Sequence, residues 1–123
     1  MGELVVGIGF RTDATASDIV DAVGRWWDSA AVAALATIDR RADHPGLRSA
    51  AAQLDVPVVV FTATELAAVP VPNPSKHSLE HLGTGSVAEA AAILAADGGE
   101  LVDPKRVVHG IVLAAAERAW TVP

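Results

Sequence analysis

The groups able to do chemistry fall in a few clusters. Asp39, Asp43 and His44 form the first. Histidine titrates near neutrality, so His44 is the natural proton carrier and a candidate catalytic residue. The stronger reading is a turn, because aspartates bond nearby backbone and Pro45-Gly46 is turn chemistry. His77-Ser78-Leu79-Glu80-His81 matches H-x-x-E-H, which on a helix sets His77 and His81 on one face as candidate metal ligands. The segment is short, follows a proline loop and lacks a further ligand, so two exposed histidines explain it better and no metal is expected.

Gly83-Thr84-Gly85-Ser86 leads into a helix whose free N–H groups suit an anion, and glycine permits close approach. Ser86 and Glu89 also read as an S-x-x-E capping box, with the helix starting at Ser86. Glu89 is a second acid–base candidate. Arg11 has the fork that binds a carboxylate at two points, and Lys105 and Arg106 follow Pro104. Lys76 lies after the proline-rich stretch. Gly7-Ile8-Gly9 opens a dinucleotide fingerprint but Thr12 stands where its third glycine belongs, so no cofactor is expected.

Bulk properties narrow the field. The chain has 123 residues, the size of one domain, so 1–123 is expected to fold around one core. A formal charge of −6 without a basic run argues against nucleic acid as a partner. The absence of cysteine rules out disulfides, thiolate metal sites and a cysteine nucleophile, and fits a cytoplasmic location. No signal-peptide pattern begins the chain, and no apolar run approaches the roughly 20 residues of a membrane span. A soluble protein with no membrane partner is expected.

The elements that must hold these groups alternate in type. Leu4–Phe10, Val32–Ile38 and Val56–Phe61 read as buried strands. Thr15–Asp18 caps a helix carrying Ile19, Val23, Trp26 and Trp27, while Leu47–Leu54 and Ser86–Asp97 are alanine-rich helices. Thr62–Leu66 opens a short helix that stops before Pro70. Glu100–Val102 and Val107–Leu113 are the last candidate strands, and Leu113–Arg118 fits strand or helix. The pattern predicts an α/β protein with three layers, α/β/α, around a largely parallel or mixed sheet of about five strands. Ligands on such sheets gather beyond the carboxyl ends of the strands. Trp26 and Trp27 cannot both face the core from adjacent positions. One of them is expected at the surface or under a partner subunit, which makes a homo-oligomer an expectation.

Several segments, taken in order, resemble a family of cobalamin biosynthesis proteins: the stand-alone CobE proteins and the C-terminal domain of CbiG. They are Gly7-Ile8-Gly9, Leu35-Ala36-Thr37-Ile38 with Asp43-His44-Pro45-Gly46-Leu47, and Val58-Val59-Val60-Phe61 with Glu65-Leu66. The strongest is Gly85-Ser86-Val87-Ala88-Glu89-Ala90-Ala91-Ala92, followed by Pro104-Lys105. With no room for further N-terminal domains, the stand-alone form is the nearer likeness. Two positions depart from the family pattern. Arg11-Thr12-Asp13 stands where several basic residues usually follow the first strand, and His44 replaces a glutamate before the proline.

The resemblance implies a three-layer fold and a role in building the corrin ring, whose precursors are flat and rich in carboxylates. Gly7, Gly9, Arg11, Asp39, Gly83, Gly85, Ser86 and Lys105 are then the candidate ligand-binding residues. The leading expectation is an accessory or carrier protein for a precorrin or hydrogenobyrinic-acid-type intermediate. The alternatives are a hydrolase opening a (cobalt-)precorrin lactone, as CbiG does, and a non-catalytic subunit docking on a pathway methyltransferase.

Overall fold

A computed structural model describes residues 4–69, 84–97 and 100–117. Strands β1 (Leu4–Gly9), β2 (Val32–Ile38), β3 (Val58–Phe61), β4 (Leu101–Val108) and β5 (Ile111–Glu117) form one sheet in the order β3-β2-β1-β5-β4. The β1–β2 and β2–β3 pairs are parallel, whereas β5 runs antiparallel to both β1 and β4. The sheet is therefore mixed, with β1 at its centre.

Helices α1 (Ala16–Trp26) and α2 (Pro45–Leu54) lie on one face and α3 (Ala63–Ala67) and α4 (Thr84–Ala95) on the other. The strand residues alternate accordingly. Val6, Ile8, Leu113 and Ala115 join Ile19, Val23 and Leu47 in the larger core. Val5, Ala36 and Ile38 meet Leu66, Val87, Ala90 and Ala91 on the opposite face. This is the expected three-layer arrangement.

Local sequence explains most element boundaries. Thr15 caps α1 by accepting from Asp18 N at 3.1 Å. Pro45 opens α2, where its missing N–H costs nothing, and α2 ends on Asp55 in the left-handed region. Thr62 and Glu65 form a reciprocal capping box that holds the short α3.

The C-terminal third departs from expectation. The Val107–Leu113 segment is not one strand, because His109 and Gly110, both at positive φ, make a tight hairpin turn between β4 and β5. Positive φ at both central residues gives the primed turn that matches strand twist, and histidine tolerates it better than branched residues do. Leu113–Glu117 is strand despite its alanines, since β5 is paired on both sides and buried from Ile111 to Ala116. Pro104 falls in β4, an edge strand whose register shifts between Asp103 and Arg106, where a missing donor is tolerated. Helix α4 begins at Thr84, so Glu89 sits in its second turn and is too far along to complete an N-terminal cap with Ser86. Its buried carboxylate instead reaches β4 and accepts from Lys105 N at 3.2 Å.

The two adjacent tryptophans divide as geometry requires. Trp27 is buried and donates its indole N–H to Asp103 at 2.7 Å, tying α1 to β4. Trp26 is 44% exposed, and the Arg106 guanidinium stacks on it at 4.1 Å.

The hairpin tip is tied to α1 through Asp21, which lies 2.7 Å from His109 and 3.0 Å from Arg25. Bonding to His109, then to Arg25, holds the Asp21 carboxyl below its ordinary value of 3.8. A depressed carboxylate contributes stability that is present above that value and lost as pH falls through the folded one. Proton titration of Asp21 by NMR should therefore show a midpoint below 3.8 that rises in His109→Ala.

Candidate functional site

The carboxyl ends of β1 and β2 part at the centre of the sheet. Their ladder ends at Gly7–Ala36. One residue further, the Ile8 carbonyl is met by a side chain, the fully buried Thr37 hydroxyl donating at 2.7 Å. Beyond this bond lies a small open hollow of about 20 Å³ lined by Gly9, Phe10, Thr37, Ile38, Arg40, Arg41 and Val87. Val87 belongs to the first turns of α4, so that helix opens toward the end of β1. Thr37→Val should leave Ile8 O without its donor and lower stability by about 1–3 kcal/mol in chemical denaturation.

Arg40 and Arg41 supply the positive charge here. Both lie in a single turn of 3-10 helix, Asp39–Arg41, that begins where β2 ends. Arg41 is half-buried and oriented: its Nε donates to Phe10 O at 3.2 Å and its guanidinium stands 5.9 Å from the Phe10 ring centre. One of five N–H donors is thus engaged, and among the described residues the terminal amino groups have no hydrogen-bond partner. A fork fixed at its base over an apolar floor suits a carboxylate. Sequence reasoning passed over this pair. The available signal was a dibasic step directly after a strand end.

A second, wider depression of about 500 Å³ lies on the other flank of the β1 terminus. Arg11, Asp13, Ala14 and Asp18 line it on one side, and Val107 to Val112, without Val108, line it from the hairpin. Arg11 is exposed here and reaches the same rim of the sheet.

The remaining candidates are distributed as follows. Gly9 lines the hollow and Asp39 is exposed at its margin. Gly7 is not at the rim: it lies beneath α4, and a Cβ there would overlap the Ala88 carbonyl oxygen and stand 2.7 Å from Ala92 N. Lys105 is in the middle of the edge strand β4, short of the rim. Gly85 and Ser86 fall in the first turn of α4. Gly83, Lys76, His77 and His81 lie outside the described residues. No cluster of metal-ligating side chains occurs among the described residues, and no described helix is long and apolar enough to cross a membrane.

His44 is used structurally. Its Nδ1 accepts from Leu47 N at 3.3 Å, capping α2, and its Nε2 lies 2.8 Å from Thr12 O. The ring meets Phe10 edge-on at 5.0 Å between centroids. Asp43 pairs with Arg48 at 3.4 Å.

These elements make a three-layer α/β unit whose small, arginine-flanked hollow lies at the carboxyl rim of its central strands. The chain belongs to the family described as cobalamin synthesis G C-terminus, whose profile matches residues 4–116. It is similar to the solved structure of CobE, a protein from the cobalamin (vitamin B12) biosynthetic pathway. Identity is 32%, the match covers 96% of this chain and 95% of that one, and the TM-score is 0.79. It is also similar to the cobalamin biosynthesis protein chiG from Agrobacterium tumefaciens, at 30% identity and TM-score 0.68, covering 95% and 99% of the two chains. A cobalamin biosynthesis protein G homolog from Sulfolobus solfataricus shares the fold at 18% identity and TM-score 0.72. The match covers 94% of this chain and 37% of that longer one. No curated protein matches in sequence.

Proposed function

We propose that this cobalamin biosynthesis protein binds a carboxylate-rich corrin precursor at the carboxyl rim of β1 and β2, as a carrier or accessory. The observation that carries this reading is the oriented Arg41 fork beside Arg40 at the mouth of an apolar hollow. With space of only about 20 Å³ the hollow is too small for a macrocycle, so the carboxylate of one acetate or propionate arm would meet the Arg41 fork at its mouth. The flat ring would then lie over the exposed Arg40 and Arg11, with a second carboxylate within reach of Arg11 in the wider depression. Burial of Phe10 under His44 and Arg41 fixes the base of the Arg41 fork.

Binding without turnover is favoured by how the acid–base candidates are used. His44 engages backbone through both ring nitrogens, and Glu89 holds the β4 main chain.

Titration of the chain with hydrogenobyrinic acid, followed in the visible spectrum of the ligand, tests the proposal. Tryptophan fluorescence is the poorer probe: Trp26 ends the 11-residue α1, about 16 Å along the helix from its rim end. A saturable spectral shift is expected. No shift with this acid or an earlier precorrin would overturn the reading, and release of a two-carbon fragment would replace it with the hydrolase alternative.

A further inference from the structure

One imidazole joins the two loops that frame the rim, and only one of its protonation states can do so. Thr12 O is an acceptor, so Nε2 of His44 must carry the hydrogen. Leu47 N–H is a donor, so Nδ1 must be bare. The neutral Nε2–H tautomer alone satisfies both.

We infer that His44 is a positioning residue that makes the shape of the Phe10–Ala14 loop depend on pH. A proton added to Nδ1 would set two donors against each other and place a cation at the positive end of the α2 dipole. The ring then has to leave the first turn of α2, and it is wedged while doing so. Phe10 packs on it edge-on, and Gly46 is so close that a Cβ there would stand 2.9 Å from His44 Cε1 and 2.7 Å from Ala14 O. Movement of the ring is therefore transmitted to Phe10 and to Thr12–Ala14.

The charged groups around it come from every neighbouring element. Arg41 lies over the Phe10 ring from the β2 side. Asp43 and Arg48 flank the cap at α2 and pair with each other. Arg11 and Asp13 flank Thr12 in the moving loop. Among the described residues none of these bonds the imidazole, whose hydrogen-bond partners are the two backbone groups. Acidification thus loosens the segment that carries Phe10 and Arg11. The consequence for ligand affinity rests on the proposed function, but the structural response does not.

The test uses the ligand-free chain, with backbone amides and the His44 Cε1 proton followed by NMR from about pH 8 to about pH 5. The Thr12, Asp13, Ala14 and Leu47 amides should shift together with His44, while Val6 and Leu35 in the core strands stay fixed. His44→Asn retains an oxygen to cap Leu47 but cannot titrate. It should abolish the transition with the melting temperature within a few degrees of the parent, and His44→Asp serves if the amide folds poorly. Loop amides that ignore the titration of His44, a His44 that stays neutral throughout, or the same transition in the variants would each overturn the inference. If the loop responds as described yet no corrin binds at any pH, the proposed function fails and the positioning role stands.

Discussion

Gly7→Ala should lower the melting temperature by at least about 10 °C, and Gly7→Val should prevent stable folding. The cause is backbone, not side-chain, crowding. A Cβ on Gly7 would overlap the Ala88 carbonyl oxygen and crowd Ala92 N, so α4 has to lift from the sheet. Overpacking a core that can adjust its side chains costs about 1–3 kcal/mol. Here nothing flexible can yield, and α4 would lose close packing along Val87, Ala88, Ala91 and Ala92, all of them buried. A loss above about 3 kcal/mol is a large part of the 5–15 kcal/mol typical of a domain. Thermal denaturation by circular dichroism measures it. A melting temperature within a few degrees of the parent for Gly7→Ala would mean that the helix–sheet contact is looser than described.

The second large effect is on binding. Arg40→Glu with Arg41→Glu should weaken hydrogenobyrinic acid about 100-fold or more. Charge-assisted bonds contribute about 1.5–3 kcal/mol each, tenfold corresponds to about 1.4 kcal/mol, and reversal adds repulsion. The fold should survive, since Arg40 is exposed and Arg41 gives up one bond to Phe10 O. Arg25→Glu, compared with Arg41→Glu alone, is the control for charge: Arg25 is exposed in the last turn of α1 and its reversal should leave affinity within about twofold. Equal loss in both variants would point to a general charge effect rather than a site.

What the sequence discloses follows physical lines. β2 is legible to the residue as Val32–Ile38, because a β-branched and apolar run between turns has few other readings. The Thr15 cap and the break at Pro45-Gly46 are legible because caps and prolines act locally. The hairpin at His109-Gly110 was hidden, since its histidine carries no strong turn signal and apolar residues continue on both sides. The alanines of β5 were ambiguous because intrinsic preference favours helix and only pairing with β1 and β4 decides otherwise.

The site divides similarly. Gly9 and the first turns of α4 were placed at the rim by the general rule for such sheets, and the hollow brings Gly9 together with Val87. Gly7 and Gly9 stand in one motif, which by itself suggests one location for both. Along a strand, though, two residues are about 7 Å, enough to put one under a helix and the other at the edge. Arg40 and Arg41 are silent in the sequence because nothing local says that a turn of 3-10 helix will carry Arg41 back over Phe10. For His44 the turn reading is nearer the structure than acid–base chemistry, and its spacing to Leu47, three residues on, permits the cap it makes.

The most direct test maps the bound ligand onto the chain. Amide shifts on adding hydrogenobyrinic acid should be largest at Gly9, Phe10, Arg11, Arg40, Arg41 and Val87, and negligible at Trp26, Val102 and Asp55. Shifts centred on β4 and the end of α1, with the β1–β2 rim silent, would contradict a site at the carboxyl edge of the sheet.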